Sequence, residues 1–296
     1  MSVTTGCGTA PNQQSATESP LAGRVYDVRA RTFIPREDAI GRAIAARYVI
    51  LGEIHDNPVH HHLQADILAS MIRAGRRPAL AMEQFDREHQ AALDATRSNR
   101  VFDPEAIADA GRFDRKGWRW QDYKPLVALA ADSGLRIVAA NVSREEVRAM
   151  AKSGRAHEGL PPVSADLRAR LEEVIVAGHC GYRPPAPVLA GMLEAQRARD
   201  AQMAAALEAG GDAGTVLIAG AGHARRSHGA PAYVNSTIRN SLLVIAFIEV
   251  DEDRLVPAHY LREAEYDVAW FTPRAPREDP CAAFRTLPGN GTRPAN

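Results

Sequence analysis

Gly52-Glu53-Ile54-His55 and Gly220-Ala221-Gly222-His223 share one form: an apolar run, a glycine, two residues, then a histidine. Imidazoles at such positions serve as general acids or bases, or as metal ligands. The runs before them, Tyr48-Val49-Ile50-Leu51 and Thr215-Val216-Leu217-Ile218, read as buried parallel strands. Each histidine therefore falls just past the carboxyl end of a strand, the edge at which open α/β sheets bind ligands.

Other strand ends enlarge this set. Leu80-Ala81-Met82 leads into Glu83, and the run through Ala140 leads into Asn141. In a parallel sheet, Glu53, His55, Glu83, Asn141 and His223 share one edge although none of the strands adjoins another in sequence. Two carboxylates, two imidazoles and an amide suit either a divalent metal, held by His55, His223 and Glu53, or metal-free acid/base catalysis by Glu53, His55, Glu83 and His223. A buried carboxylate needs a partner, so pairing with arginine is the competing expectation for Glu53 and Glu83.

The segment after His55 predicts a helix start, with Asp56 and Asn57 as caps and Pro58 in the first turn. The positive end of a helix dipole disfavours imidazolium, so His55 is expected to be neutral. On that helix Val59, Leu63, Ile67 and Met71 form the expected buried stripe. His60, His61 and His62 then splay to different faces. His61, beside Gln64, is expected to point inward, and His60 and His62 to be solvated.

The elements that must position these residues follow from the apolar runs at 47–52, 78–83, 135–140, 215–220 and 242–249, with Tyr266 to Phe271 as a last edge strand. Helical patterns at 57–74, 120–133, 143–152, 165–178 and 188–209 separate them. The alternation predicts a single-domain α/β fold with a mostly parallel β-sheet flanked by helices. An aromatic helical or loop insertion follows the second strand, where Phe85, Phe102, Phe113, Trp118 and Trp120 punctuate residues 84–119. It is read either as a lid or as short helices packing on the core.

Two further segments bear on chemistry. In the helix at 188–209, Gln196, Asp200 and Met203 share a face with Arg199 beside them, and Asp200 or Arg199 could reach the site. Gly178-His179-Cys180-Gly181-Tyr182-Arg183 reads as a loop. A loop histidine with a nearby tyrosine and arginine suits haem, with imidazole or phenolate for iron and guanidinium for a propionate.

The composition narrows the classes. Net charge is zero, from 36 basic and 36 acidic residues, which gives no general electrostatic reason to expect nucleic acid as a partner. No apolar run reaches the roughly 18 residues of a membrane span. There is no G-x-x-x-x-G-K-[ST], no G-x-G-x-x-G after a strand, no H-E-x-x-H and no G-x-S-x-G. The cysteines, Cys7, Cys180 and Cys281, form no C-x-x-C, although one bridge between Cys180 and Cys281 stays open. Residues 1–20 and the Pro/Arg-rich 276–296 read as disordered flanks of a domain over 21–275. Thr4-Thr5-Gly6-Cys7-Gly8 has the form of a lipoprotein signal's end, without its basic and apolar parts.

Taken in order, Leu51 to Gln64, Met82-Glu83-Gln84-Phe85, Trp118-Arg119-Trp120 with Tyr123, Ala140-Asn141, His179-Cys180-Gly181, Gln196 to Met203 and Gly220 to His223 resemble the ChaN-like haem-binding lipoproteins. That family is similar to the erythromycin esterases and Tiki metalloproteases, whose paired Gly-x-x-His motifs and acidic residues form an active centre. The resemblance implies an iron-uptake-linked haem protein, a homodimer in some members, held at the outer membrane or in the periplasm by a lipid on Cys7. Tyr182 is the expected iron ligand, with Tyr123 and Tyr233 behind it, and His179, Arg183 and His61 as further haem contacts. The alternative it leaves open is a metal-dependent or acid/base hydrolase, so the sequence leaves enzymatic activity undecided.

Overall fold

The structure, a computed structural model, describes residues 19–153, 159–261, 265–279 and 281–282. Its centre is an eight-stranded sheet in the order β2-β1-β8-β7-β3-β6-β4-β5. The strands are β1 (Val25–Asp27), β2 (Thr32–Ile34), β3 (Tyr48–Glu53), β4 (Ala79–Asp86), β5 (Ile137–Asn141), β6 (Thr215–Gly220), β7 (Leu242–Val250) and β8 (Val268–Pro273). From β8 to β5 all pairings are parallel, while β1 runs antiparallel to both β8 and β2. The mostly parallel α/β fold expected from the apolar runs is what the chain adopts. One expectation is corrected: β8 lies between β7 and β1 and is no edge strand.

Strand alternation explains why both faces are covered. Val49 and Leu51 of β3 enter one apolar cluster with Ile67, Phe85 and Leu126, whereas Tyr48 and Ile50 enter another with Leu217, Met203 and Leu207. Helices α1 (Arg36–Ala45), α2 (Pro58–Arg73), α3 (Gln90–Ser98), α4 (Pro104–Ala110) and α5 (Trp120–Asp132) precede β5, and α6 (Arg144–Ser153), α7 (Ala165–Gly178), α8 (Ala186–Glu208) and α9 (Ser236–Asn240) follow it.

The aromatic insertion is mainly core. Phe85, Phe113 and Trp120 are buried in the first cluster, and α3 and α4 supply the short helices. Phe102 is exposed, and Trp118 alone of the five turns to the strand edge, its ring 4.7 Å from that of His55.

Helix α2 starts as expected, with Asn57 Oδ1 accepting from the Val59 backbone N–H at 2.9 Å. Leu63, Ile67 and Met71 of the expected stripe are buried, and the buried face widens to His60, His61, Gln64 and Leu68, while Val59 alone of the stripe is exposed.

The segment after β8, expected to be disordered from residue 276, is held where it is described. Arg277 pairs with Asp56 at 3.0 Å and with Glu249, and Cys281 is disulfide-bonded to Cys180 with 5.5 Å between Cα atoms. Cys7, most of the predicted leader and residues 283–296 lie outside the described residues. Among the described residues, no helix is long and apolar enough to cross a membrane.

Candidate functional site

The parallel register brings the strand ends together. Glu53 pairs with Gly220 across β3 and β6, and β4 lies on the other side of β6, so Glu83 joins the same edge. The glycines of the two motifs interlock. A Cβ on Gly220 would lie 2.9 Å from Nε2 and Cε1 of His55, and one on Gly52 would lie 2.8 Å from Ala224 Cβ. Each glycine thus makes room for the loop that carries the other motif.

Glu53 anchors the first half. Its Oε1 accepts from His55 Nδ1 at 2.8 Å and from the Tyr123 hydroxyl at 2.5 Å, and its Oε2 accepts from Gln64 at 2.6 Å. His61 Nδ1 stands 3.2 Å from the same Oε2, while its Nε2 donates to the His55 carbonyl at 3.0 Å. Burial would raise the Glu53 pKa, but the hydrogen bonds and charges of His55 and His61 hold it far below the usual carboxylate range.

Glu83, Arg199, His223 and Asp200 form the second half. Arg199 donates to Glu83 Oε1 at 2.5 Å, the Gly220 N–H donates to Oε2 at 2.7 Å, and His223 Nε2 lies 3.6 Å from Oε1. Asp200 accepts from His223 Nδ1 at 2.6 Å, and burial raises the pKa of this carboxyl. Asn141 donates to the Glu83 carbonyl and accepts from Arg199 Nε, which fixes the guanidinium. Burial works against the Glu83 carboxylate, but His223, His55 and Arg199 outweigh it and hold its pKa down. Arg199 and Asp200 of α8 thus reach the strand edge, and so does Gln196, 3.1 Å from His223 Nδ1.

Three expectations need correction here. His55 is not neutral: burial pushes its pKa down, but the Glu83 charge and the hydrogen bond to Glu53 overcome this and raise it to about 9. His60 is not solvated. It is fully buried, accepts from the Ile54 N–H at 2.9 Å and donates to Thr272 at 2.7 Å, and burial lowers its pKa to about 3. Third, the divalent-metal set of His55, His223 and Glu53 does not assemble. These groups are spent on carboxylate–imidazole pairs, and among the described residues no three His, Cys, Asp or Glu side chains group as metal ligands do. Both oxygens of Glu53 are engaged, so it is poorly placed to activate water.

The predicted haem contacts divide. His61 is buried in the cluster, and His62 is exposed. Tyr123, considered for iron, is fully buried with its hydroxyl on Glu53, while burial and the Glu53 charge raise its pKa. Tyr233 accepts from Arg197 Nε at 3.3 Å. His179, Tyr182 and Arg183 occupy an exposed loop at the end of α7, with His179 Nδ1 donating to the Ile175 carbonyl and Arg183 paired with Glu172.

Beside that loop lies a cavity of about 640 Å³ that the sequence did not reveal. One wall is α7, with Arg170 and Val174. The opposite wall carries Arg225, His228, Tyr260 and Tyr266. His228 is buried, and its Nδ1 is 2.6 Å from the Ser227 hydroxyl, which donates to Glu265. Tyr266 donates to the Ala221 carbonyl at 3.2 Å, so the loop that delivers His223 to the strand edge also borders the cavity. The only available signal was the position of His228 just after the second Gly-x-x-His. Nothing local marked Tyr260 or Tyr266.

This arrangement can be set beside known proteins. A family model described as haem-binding uptake, Tiki superfamily, ChaN, matches residues 39–234. The chain belongs to the ChaN family. A solved structure described as cofacial haem binding to ChaN of Campylobacter jejuni is similar in fold. Its TM-score is 0.69 at 22% identity, over 83% of this chain and 95% of that one. The chloroplastic protein Reticulata-related 5 of Arabidopsis thaliana is 21% identical over 89% of this chain, which spans only 40% of that relative's length. An erythromycin esterase in its open conformation covers 91% of this chain and 87% of its own at 12% identity and a TM-score of 0.41, too low to bear on function. In this ChaN-family chain the matched region runs from α1 through the second Gly-x-x-His, and so contains the whole strand-edge cluster.

Proposed function

We propose that this protein binds haem in the cavity between α7 and the segments carrying Arg225, His228, Tyr260 and Tyr266. What carries the reading is a cavity of about 640 Å³ with haem-compatible donors in a chain of the ChaN family. The volume falls within the roughly 300–1,000 Å³ usual for cofactor sites. Imidazole and phenol are iron ligands, paired guanidinium groups suit propionates, and Val174 with Leu261 offers apolar surface to a macrocycle.

Bound haem would supply the iron and the macrocycle. His228, oriented through Ser227, and Tyr266 are the first candidate ligands, and Arg170 and Arg225 would pair with the propionates. Tyr182, with His179 and Arg183, remains in the proposal at the cavity's α7 end, because Ala177 lines the wall shortly before that loop. The strand-edge cluster would act as the rigid frame beneath the 220–230 loop.

Titrating the purified chain with haemin tests this. A saturable Soret shift that weakens in His228→Ala, Tyr266→Phe or Tyr182→Phe is expected. The absence of such a shift, or one that none of these variants and neither Tyr260→Phe nor Arg225→Ala alters, would overturn the reading.

The proposal extends to a role in iron uptake, a lipid anchor on Cys7 at the outer membrane or in the periplasm, and a haem-bound homodimer. Support comes from the family likeness and from the residues around Cys7. Metabolic lipid labelling should be lost in Cys7→Ser, and haemin should shift the sedimentation of the chain toward a dimer. Labelling that survives Cys7→Ser, or sedimentation unchanged by haemin, would sink the corresponding part.

A further inference from the structure

We propose that the Cys180–Cys281 disulfide is a redox clamp on this cavity, closed when oxidised and released by a dithiol reductant. The inference rests on the cavity reading above for its ligand but on separate observations for its mechanics. Cys180 lies three residues beyond Ala177 of the α7 wall. Cys281 ends the strap that leaves β8, the strand entered directly after Tyr266 of the opposite wall. The bond therefore ties the α7 wall, just past its last cavity residue, to the strap beyond the sheet strand that follows Tyr266.

The strap is fixed on the body of the protein. Arg277 pairs with Asp56 and Glu249, Ala275 N–H donates to Glu249 at 3.0 Å, and Arg274 pairs with Asp251 at 3.1 Å. Asn57, the cap of α2, donates to the Pro273 carbonyl at 3.0 Å. A bond from α7 to this strap thus anchors the helix to the sheet edge and not to a loose tail.

Helix α7 itself is weakly embedded. Its buried apolar residues Leu171 and Ile175 belong to a small cluster with Leu189 and Leu193 of α8, separate from the three clusters that pack the sheet. Local opening concentrates in elements with few buried apolar contacts. Cys180 has φ +59° at the end of α7, where the Cys180 and Gly181 N–H groups donate to the Ala177 and Val176 carbonyls, so the bond leaves from the helix terminus itself. Both cysteines are half-buried, within reach of an attacking thiolate.

In the step, the dithiol gives two electrons and two protons. The Cys180–Cys281 S–S bond breaks to two thiols, and the donor leaves as its own disulfide. Freed of the link, α7 swings on α8 and widens the cavity, so the ligand is held under oxidising conditions and let go under reducing ones.

The test uses the full chain with a phosphine reductant, since thiols ligate haem iron. Reduction should weaken haemin binding at least tenfold. Cys180→Ser and Cys281→Ser should match the reduced protein, with no further response to phosphine. Without haemin, amide exchange across residues 165–178 should quicken at least tenfold on reduction. Unchanged exchange with unchanged haemin affinity, or free thiols at Cys180 and Cys281 in the untreated protein, would overturn the clamp. If haemin binds in neither redox state, the cavity reading fails, and the exchange of α7 alone decides the clamp. Serine variants that do not fold leave the reductant on the wild-type chain as the deciding measurement.

Discussion

Gly220 lies directly beneath the imidazole of His55, so close that a Cβ there would sit 2.9 Å from two ring atoms. The second motif's glycine therefore sets the position of the first motif's histidine. Gly220→Ala should push the ring off the Glu53 carboxylate, at an overpacking cost of about 1–3 kcal/mol. The His55 pKa should then fall from about 9 toward the ordinary 6.5. Imidazole shifts in an NMR titration measure this, and an unchanged titration would show that the ring is placed by something other than that glycine.

Arg199 and Glu83 provide a second test. Glu83 is 1% exposed, and Arg199 is the arginine hydrogen-bonded to its carboxylate. Arg199→Met should strand a buried charge and cost about 3–5 kcal/mol in urea unfolding. Arg199→Lys should recover part of this while losing the planar link to Asn141. A methionine variant as stable as the wild type would mean that His55 and His223 suffice to hold the carboxylate.

The contrast between these sites and His60 shows what the sequence could disclose. The strand ends were legible because buried parallel strands are continuous apolar runs, and one sheet edge collects whatever follows them. The side of α2 that carries His60 was not. Its hydroxyl partner, Thr272, lies 212 residues away, and no local pattern distinguishes a histidine paired across the fold from a solvated one. The charge of His55 is hidden from the sequence for a related reason: the helix start beside it favours a neutral ring, whereas Glu83, two strands away in the sheet, outweighs it. The three-residue strands β1 and β2 left no periodic signal, and the cavity is assembled from segments whose pairing only the fold supplies.

Stability should peak near neutral pH. His60 has its pKa lowered to about 3 in the folded state, so its contribution is full above 6.5 and is lost as pH falls toward 3. Glu53, also lowered, adds to the acid loss below its ordinary 4.5. His55 is raised, so its contribution is full below 6.5 and is lost as pH rises through about 9. This alkaline loss is the smaller one, since the His55 side chain is 42% exposed and screened. His60→Gln should flatten the acid limb, and His55→Ala the alkaline limb, in thermal melts across pH. Parallel profiles in wild type and both variants would contradict these assignments.

Tyr123 isolates a single hydrogen bond. Its hydroxyl donates to Glu53 Oε1 at 2.5 Å, while the ring packs against His61 at 4.5 Å and against Phe113 at 5.9 Å. Phenylalanine keeps the ring contacts and removes only the donor. Burial and the Glu53 charge hold the phenol pKa above its usual range, so it remains a donor throughout the workable pH range. Tyr123→Phe should therefore cost about 1–3 kcal/mol, the range for stripping a partner from a buried polar group. Because the lost bond favoured the ionised carboxylate, the Glu53 pKa should rise and the acid unfolding midpoint should move upward. A variant with unchanged stability at neutral pH and an unchanged acid midpoint would show that His55 and Gln64 alone hold Glu53, leaving the hydroxyl as a filler of the core.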